Sequence, residues 1–364
     1  MHFEQGRDYT KAIHYCGQAA EHASLQHAYQ EGIAHLTTAL TLLNHLPATP
    51  DRDQHELGLQ WMLHFQTVRL KGHTAPELQS LIAREYALVQ HAPETPQMVQ
   101  IMIVLSMAAL LQEDVPTARA VLTQTSQRAH QWSDPSLVAS AEFAQGALHF
   151  FTGELTQAQA HLGRSNETCR SVAPEGQQVN WDIAFGSFSF AALTLWQAGY
   201  AEQALQRASE GLQRVREAHL PYTEGYTLIF RAHVQQLRGE LEQVREDVTT
   251  ALRIADEQGF EELQALGGVL LGWAQVRHGA EAEGFTQLHQ GLMTLRTTTG
   301  PIHQTYHLAL LAEAYAATAE RTKGLAAIEE ALAQVARGGE QYWAAELYRL
   351  KGELLLVQEG KLKD

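Results

Sequence analysis

Apolar residues recur at helical spacing along the whole chain. No segment alternates apolar and polar residues as a half-buried strand does. Val and Ile are sparse, while Leu, Ala, Gln and Glu, all good helix formers, dominate. Cut at its turn signals, the pattern predicts seventeen helices, near 9–26, 28–46, 53–71, 75–91, 95–112, 115–132, 134–152, 154–171, 180–198, 200–218, 222–238, 240–258, 260–278, 280–298, 302–318, 321–336 and 340–358. Every proline falls in a turn or a first helical turn, where its fixed φ and missing N–H are tolerated.

The turns keep a period. Gly199, Gly239 and Gly279 are spaced by 40 residues, and a further 40 reaches Ala319. Counting 40 back from Gly153 reaches Glu113, while Val172–Gln178 reads as a longer loop that stretches one interval. Small residues follow in phase, seven apart: Ala158 and Ser165, Ala204 and Gly211, Val244 and Ala251, Gly284 and Gly291, Gly324 and Ala331. Seven residues is two helical turns, so each pair shares a face that lets a neighbouring helix approach closely. Leu212, Leu252, Leu292 and Leu332 are placed to fill the seam. One helix pair cannot bury its own apolar face, so such repeats must stack. The expected fold is all-α: a single solenoid of antiparallel helix pairs over residues 1–364, with about eight pairs and half-repeats at both ends. Asp8–Tyr15 reads as a second helix whose mate is cut to Phe3–Gly6, and Trp343–Val357 as a first helix without a mate. The half-repeat at the N-terminus suggests a module attached to, or taken from, something larger.

These segments resemble the tetratricopeptide (TPR) repeats, which form right-handed superhelices. Leu308, Leu311, Ala312 and Tyr315 match the first-helix pattern in kind, whereas around Arg231 and Gln235 the buried stripe is expected to rotate toward Phe230, Val234 and Leu237. More specifically, Tyr29–Leu36, Gly146–Leu155, Leu195–Leu205, Leu308–Tyr315 and Ala345–Leu356 are similar to the C-terminal TPR region of large bacterial signalling proteins. In these, a class III nucleotide cyclase or other output domain precedes a regulatory ATPase domain and helical repeats. The chain has neither a cyclase segment nor a phosphate loop, so those activities do not carry over. The resemblance implies a sensing or contact region that regulates a neighbouring domain.

Charge narrows the partners. The formal net charge is −15, with 26 Lys+Arg against 41 Asp+Glu. Such a field repels nucleic acid, and no basic face offsets it. No apolar run is long enough to span a bilayer, and Cys16 and Cys169 are in no metal-like or disulfide spacing, so a soluble cytoplasmic protein is expected.

No catalytic residues, cofactor or metal site are expected. His303 and His307 share an i, i+4 face, but two ligands are a weak zinc signal, and the reading adopted is two exposed or partly packed imidazoles. Many of the 19 histidines are expected to titrate near neutrality. Glu261-Glu262 and Glu329-Glu330 read as solvated faces or helix starts, and Gly267-Gly268 as a site of close helix packing.

In TPR geometry the first helices line the concave face. Counting back from the turns by helical steps gives Phe143, Phe150, Trp196, Tyr226, Ile229, His233, Leu266, Trp273 and Tyr306 as groove candidates. The alternative is that register shifts bury these rings between helices. The expected function is a non-catalytic protein–protein or interdomain contact module in bacterial signal transduction. The other reading is an effector sensor taking a small molecule or peptide in the concave groove between Ser133 and Ala319.

Overall fold

The computed structural model describes residues 8–171, 179–338 and 340–358. Seventeen helices are present among them. In chain order they are α1 (Tyr9–Leu25), α2 (Tyr29–Leu43), α3 (Pro50–Lys71), α4 (Pro76–Val89), α5 (Pro96–Leu111), α6 (Val115–Ala129), α7 (Pro135–Phe151), α8 (Leu155–Ser171), α9 (Val179–Gln197), α10 (Ala201–Glu217), α11 (Pro221–Arg238), α12 (Leu241–Gln258), α13 (Glu261–Arg277), α14 (Glu281–Thr298), α15 (Gln304–Ala317), α16 (Arg321–Arg337) and α17 (Ala344–Gln358). The expected segments Phe3–Gly6 and Val172–Gln178 lie outside the described residues.

Starts and stops follow local chemistry. Thr49, Thr95, Asp114 and Asp134 cap α3, α5, α6 and α7, each side chain accepting a hydrogen bond from a first-turn N–H, with proline at the first or second helical position. Helix ends use one recurring closure. At Gly239 (φ 76°) the next N–H, of Glu240, bonds back to Gln235 O at 2.9 Å. The same bond recurs beyond Gly153, Gly199 and Gly279. It recurs also at Glu113 (φ 62°) and Ala319 (φ 59°), the two non-glycine positions that the 40-residue period picks out.

Each odd-numbered helix from α5 packs on the even helix that follows and on the next odd one, giving an inner layer of odd and an outer layer of even helices. The small-residue pairs seven apart are all buried. α13 and α14 approach most closely: a Cβ on Gly284 would lie 2.7 Å from Gly272 O, and one on Gly272 would lie 2.7 Å from Gly284 O. Gly267 abuts Leu252, as close packing requires, whereas Gly268 has only ordinary contact with Gln287. Leu212 is fully in the seam, while Leu252, Leu292 and Leu332 are half-buried. In α11 the stripe runs through Phe230 and Val234, with Leu237 half-buried, while Arg231 forms a bidentate pair with Asp247.

Two expectations about the ends change. α1 packs most extensively on α2, the helix after it, and so takes a first-helix position. α17 starts at Ala344, because Tyr342 and Trp343 turn into the core instead of beginning the helix.

The solenoid also closes on itself. The turn after α3 meets the turn after α14, where Thr74 N–H donates to Thr298 O at 3.0 Å and Thr74 Oγ1 to Thr297 O at 3.2 Å. Tyr29 of α2 meets the ring of Phe260, centroids 5.9 Å apart. Inside the curve, Gln341 N–H donates to Phe151 O at 2.7 Å, and Gln197 Nε2 to Tyr342 O at 3.0 Å. The inner layer is therefore covered from both sides, and helices such as α7 and α13 are buried on nearly every face.

Candidate functional site

The inward fold of the α14–α15 turn decides the fate of the groove candidates. His303 heads α15 in left-handed backbone (φ 70°), and its ring sits among Phe151 (4.7 Å), Phe230 (5.9 Å) and Phe190 (6.0 Å). Phe143, Phe150, Ile229, His233, Leu266, Trp273 and Tyr306 are all buried, and only Trp196 and Tyr226 keep partial exposure. His233 stacks on Tyr306 at 3.5 Å, and Trp273 Nε1 donates to Glu313 at 2.9 Å. The rings face inward, as repeat geometry requires, but they meet other protein segments there instead of an open groove.

The histidine expectations change for the same reason. His303 and His307 are buried, not exposed, and burial pushes both to about 3, with His307 adding repulsion on His303. His233 lies well below its ordinary value, chiefly through burial. None of the three titrates near neutrality. Among the described residues no cluster of three or more His, Cys, Asp or Glu is arranged to hold a metal. Glu329 and Glu330 are exposed, and Glu261-Glu262 forms a helix start with Glu261 exposed, but Glu262 is only 1% exposed.

Glu262 marks a site that sequence reasoning missed. His73 Nδ1 donates to its Oε2 at 2.7 Å, Tyr222 OH to the same oxygen at 3.1 Å, and Thr299 Oγ1 to Oε1 at 3.4 Å. Burial opposes a charge on His73, but the Glu262 carboxylate outweighs it and raises the imidazole above its usual value. Burial, reinforced by Glu262, also holds the Tyr222 and Tyr226 phenols above theirs.

These groups form the polar end of a cavity of about 160 Å³ lined by α3, α5, α7, α9, α11 and α13 and by the α14–α15 turn. Its walls are mainly apolar: Phe65 and Val68 from α3, Met107 and Leu111 from α5, Phe143 and Phe151 from α7, Ile183 and Phe190 from α9. Arg69 also lines it, with its guanidinium 3.9 Å from the centre of the Phe65 ring. Of the groove candidates, Phe143 and Tyr226 reach this cavity. Ile229, His233 and Tyr306 border a small adjoining void with Tyr226. Trp273 edges a separate open cleft between α11, α13, α15 and α17. The missed residues had a signal: Tyr222 and Glu262 lie one helical turn before the candidates Tyr226 and Leu266, on the same helix faces.

No protein-family profile matches the chain. It is 28% identical over 183 residues to an uncharacterised protein of Rhizobium meliloti (strain 1021). That stretch is 48% of this chain but only 17% of the relative's length. Among solved structures it resembles a Rap protein complexed with Competence and Sporulation Factor, with a TM-score of 0.60 at 11% identity, covering 98% of this chain and 100% of that one. It also resembles the Rap conjugation gene regulator of plasmid pLS20 in complex with the Phr* peptide, with a TM-score of 0.55 at 14% identity, covering 87% and 96%. The chain shares the fold of the Rap proteins. Its helices are sequential antiparallel pairs of TPR type, and among the described residues no helix is long and apolar enough to cross a membrane.

Proposed function

We propose that this chain is a non-catalytic regulatory module of bacterial signal transduction, working in the cytoplasm, that binds an effector in its central cavity and passes the binding event to a neighbouring domain or partner protein. The observation that carries the reading is the cavity itself. It is largely apolar, has a few convergent polar groups, and is built from six inner helices that are distant in sequence. A ligand there touches α3 and the α14–α15 turn together, and so favours the closed solenoid over any opened form. The two Rap structures, solved with Competence and Sporulation Factor and with the Phr* peptide, support a binding role for such a superhelix. The similarity to TPR regions of cyclase and ATPase regulators supports a regulatory one.

A second reading rests on the cleft beside Trp273. Leu237, Leu241, Leu350 and Leu354 line it together with Glu313, Glu346, Arg277 and Arg349. This mixed apolar and charged surface suits a helix of a partner or neighbouring domain.

The test is thermal unfolding of the purified chain across a panel of small metabolites and short peptides. An effector at a hundredfold excess over its Kd stabilises the folded state by about 2.7 kcal/mol. Saturable stabilisation without turnover supports the sensor. A panel that leaves Tm unmoved, together with a partner protein that binds irrespective of metabolites, replaces it with the contact-module reading. Turnover of any panel member contradicts the non-catalytic assignment.

A further inference from the structure

We infer that the central cavity takes an uncharged, single-ring ligand bearing one hydroxyl, a molecule of phenol size, with the hydroxyl between Glu262 and Tyr226. This rests on the reading of the cavity as the effector site and specifies its occupant.

Size sets the first limit. The free space is about 160 Å³. A protein cavity of about 150 Å³ with apolar walls holds benzene. A nucleotide or a folded peptide segment does not fit wholly within this space. Shape and chemistry of the walls set the second limit. Phe143, Phe190 and Tyr226 present rings to the space, and aromatic ligands pack against such rings in offset or edge-on contact.

The polar end sets the third. Each carboxylate oxygen offers about two acceptor sites. Glu262 Oε2 already accepts from His73 and Tyr222, whereas Oε1 accepts only the long 3.4 Å bond from Thr299. Oε1 therefore keeps capacity for a donor. Tyr226 lines the same space within electrostatic reach of Glu262, and among the described residues its hydroxyl has no hydrogen-bond partner, so it offers a donor of its own. A hydroxyl, which donates once and accepts, answers both groups.

Charge sets the fourth. An anionic ligand meets the buried Glu262 carboxylate, and a cationic one meets the Arg69 guanidinium and the His73 imidazole. A charged ligand of either sign thus meets a like charge as well as an opposite one, and its own desolvation is costly. A neutral ligand avoids both penalties.

The experiment is isothermal titration of the full chain with phenol, toluene, benzoate and benzylamine, with Tm recorded alongside. Expected is saturable one-to-one binding of phenol, weaker binding of toluene by about tenfold for the lost hydroxyl contacts, and none of benzoate or benzylamine. Tyr226→Phe should weaken phenol by about tenfold while leaving toluene unchanged. Val104→Phe, which fills the space from α5, should abolish both. The inference is overturned if phenol fails to saturate the wild-type chain, if a charged ring binds more tightly, or if phenol binding survives unchanged in both folded variants. A peptide or larger metabolite that raises Tm while phenol is inert removes the ligand class but leaves the sensor. A panel in which nothing raises Tm removes the sensor as well.

Discussion

His73 and Glu262 are 189 positions apart in sequence, yet the imidazole Nδ1 lies 2.7 Å from the carboxylate Oε2. One residue follows α3 and the other opens α13, so their contact holds the early helices against the later ones. It also forms the polar end of the central cavity. Closure of the solenoid and the chemistry of the site are thus a single feature.

That pair gives a pH dependence. Glu262 raises the His73 pKa above its ordinary value of 6.5 despite burial. A raised imidazole contributes stability that is fully present below the unfolded value and is lost as pH rises through the folded one. The contact should therefore be strongest in mild acid and weaken above neutrality. His73→Ala should abolish this part of the pH profile and cost about 1–3 kcal/mol at pH 6 by leaving Glu262 short of a donor. Urea melts at pH 6 and 9, with solution scattering for the radius of the particle, provide the check.

The buried histidines act with the opposite sign. His303 and His307 are held down to about 3 by burial. The unfolded chain takes up those protons first, so stability should fall as pH drops from about 6.5 toward 3, by up to about 1.4 kcal/mol per pH unit for each group. His307→Gln should flatten the acid limb of a plot of stability against pH.

Glu340 works in the alkaline direction. Burial, aided by Glu113, pushes its carboxyl up to about 8, against a hydrogen bond from Thr305. Its contribution is complete below the unfolded carboxylate range and is lost as pH rises through 8. Glu340→Gln should match the wild type at pH 5 and exceed its Tm at pH 9, as thermal melts at the two pH values would reveal.

The repeat turns offer a reciprocal pair of substitutions. Gly199 has φ 89° and a Cβ there would meet nothing within 4 Å, so Gly199→Ala isolates backbone strain and should cost about 1 kcal/mol. Ala319, exposed at φ 59° in the equivalent turn, should gain a similar amount on replacement by glycine. Denaturant titration of the two variants tests both directions.

Trp273 and Trp196, both groove candidates from the sequence, should separate. Trp273 is 5% exposed and its indole N–H satisfies Glu313, so Trp273→Ala should cost about 3–5 kcal/mol. Trp196 is only half-buried and should cost less. Equal losses in thermal unfolding would contradict the burial pattern described here.

Local sequence was enough for the helices, the 40-residue period and the seam. Each of these depends on spacing within one or two neighbouring elements: φ-permissive turns at Gly239 and its equivalents, or small residues seven apart such as Gly284 and Gly291. Even Ala319 and Glu113, which carry no glycine, were identified by phase alone. The inward direction of Phe143, Tyr226, His233 and Trp273 was legible for the same reason, since a helical period assigns a face. What lies opposite that face was not. A small rotation per repeat accumulates along the solenoid, and only the sum decides whether the turn after α3 meets the turn after α14. That meeting buries Glu262 beside His73, turns His303 into a ring of phenylalanines and converts an open groove into a cavity of about 160 Å³. Glu262 shares its helix face with Leu266, so its direction was legible, but its partner His73 lies far along the chain and only tertiary packing brings the two into contact.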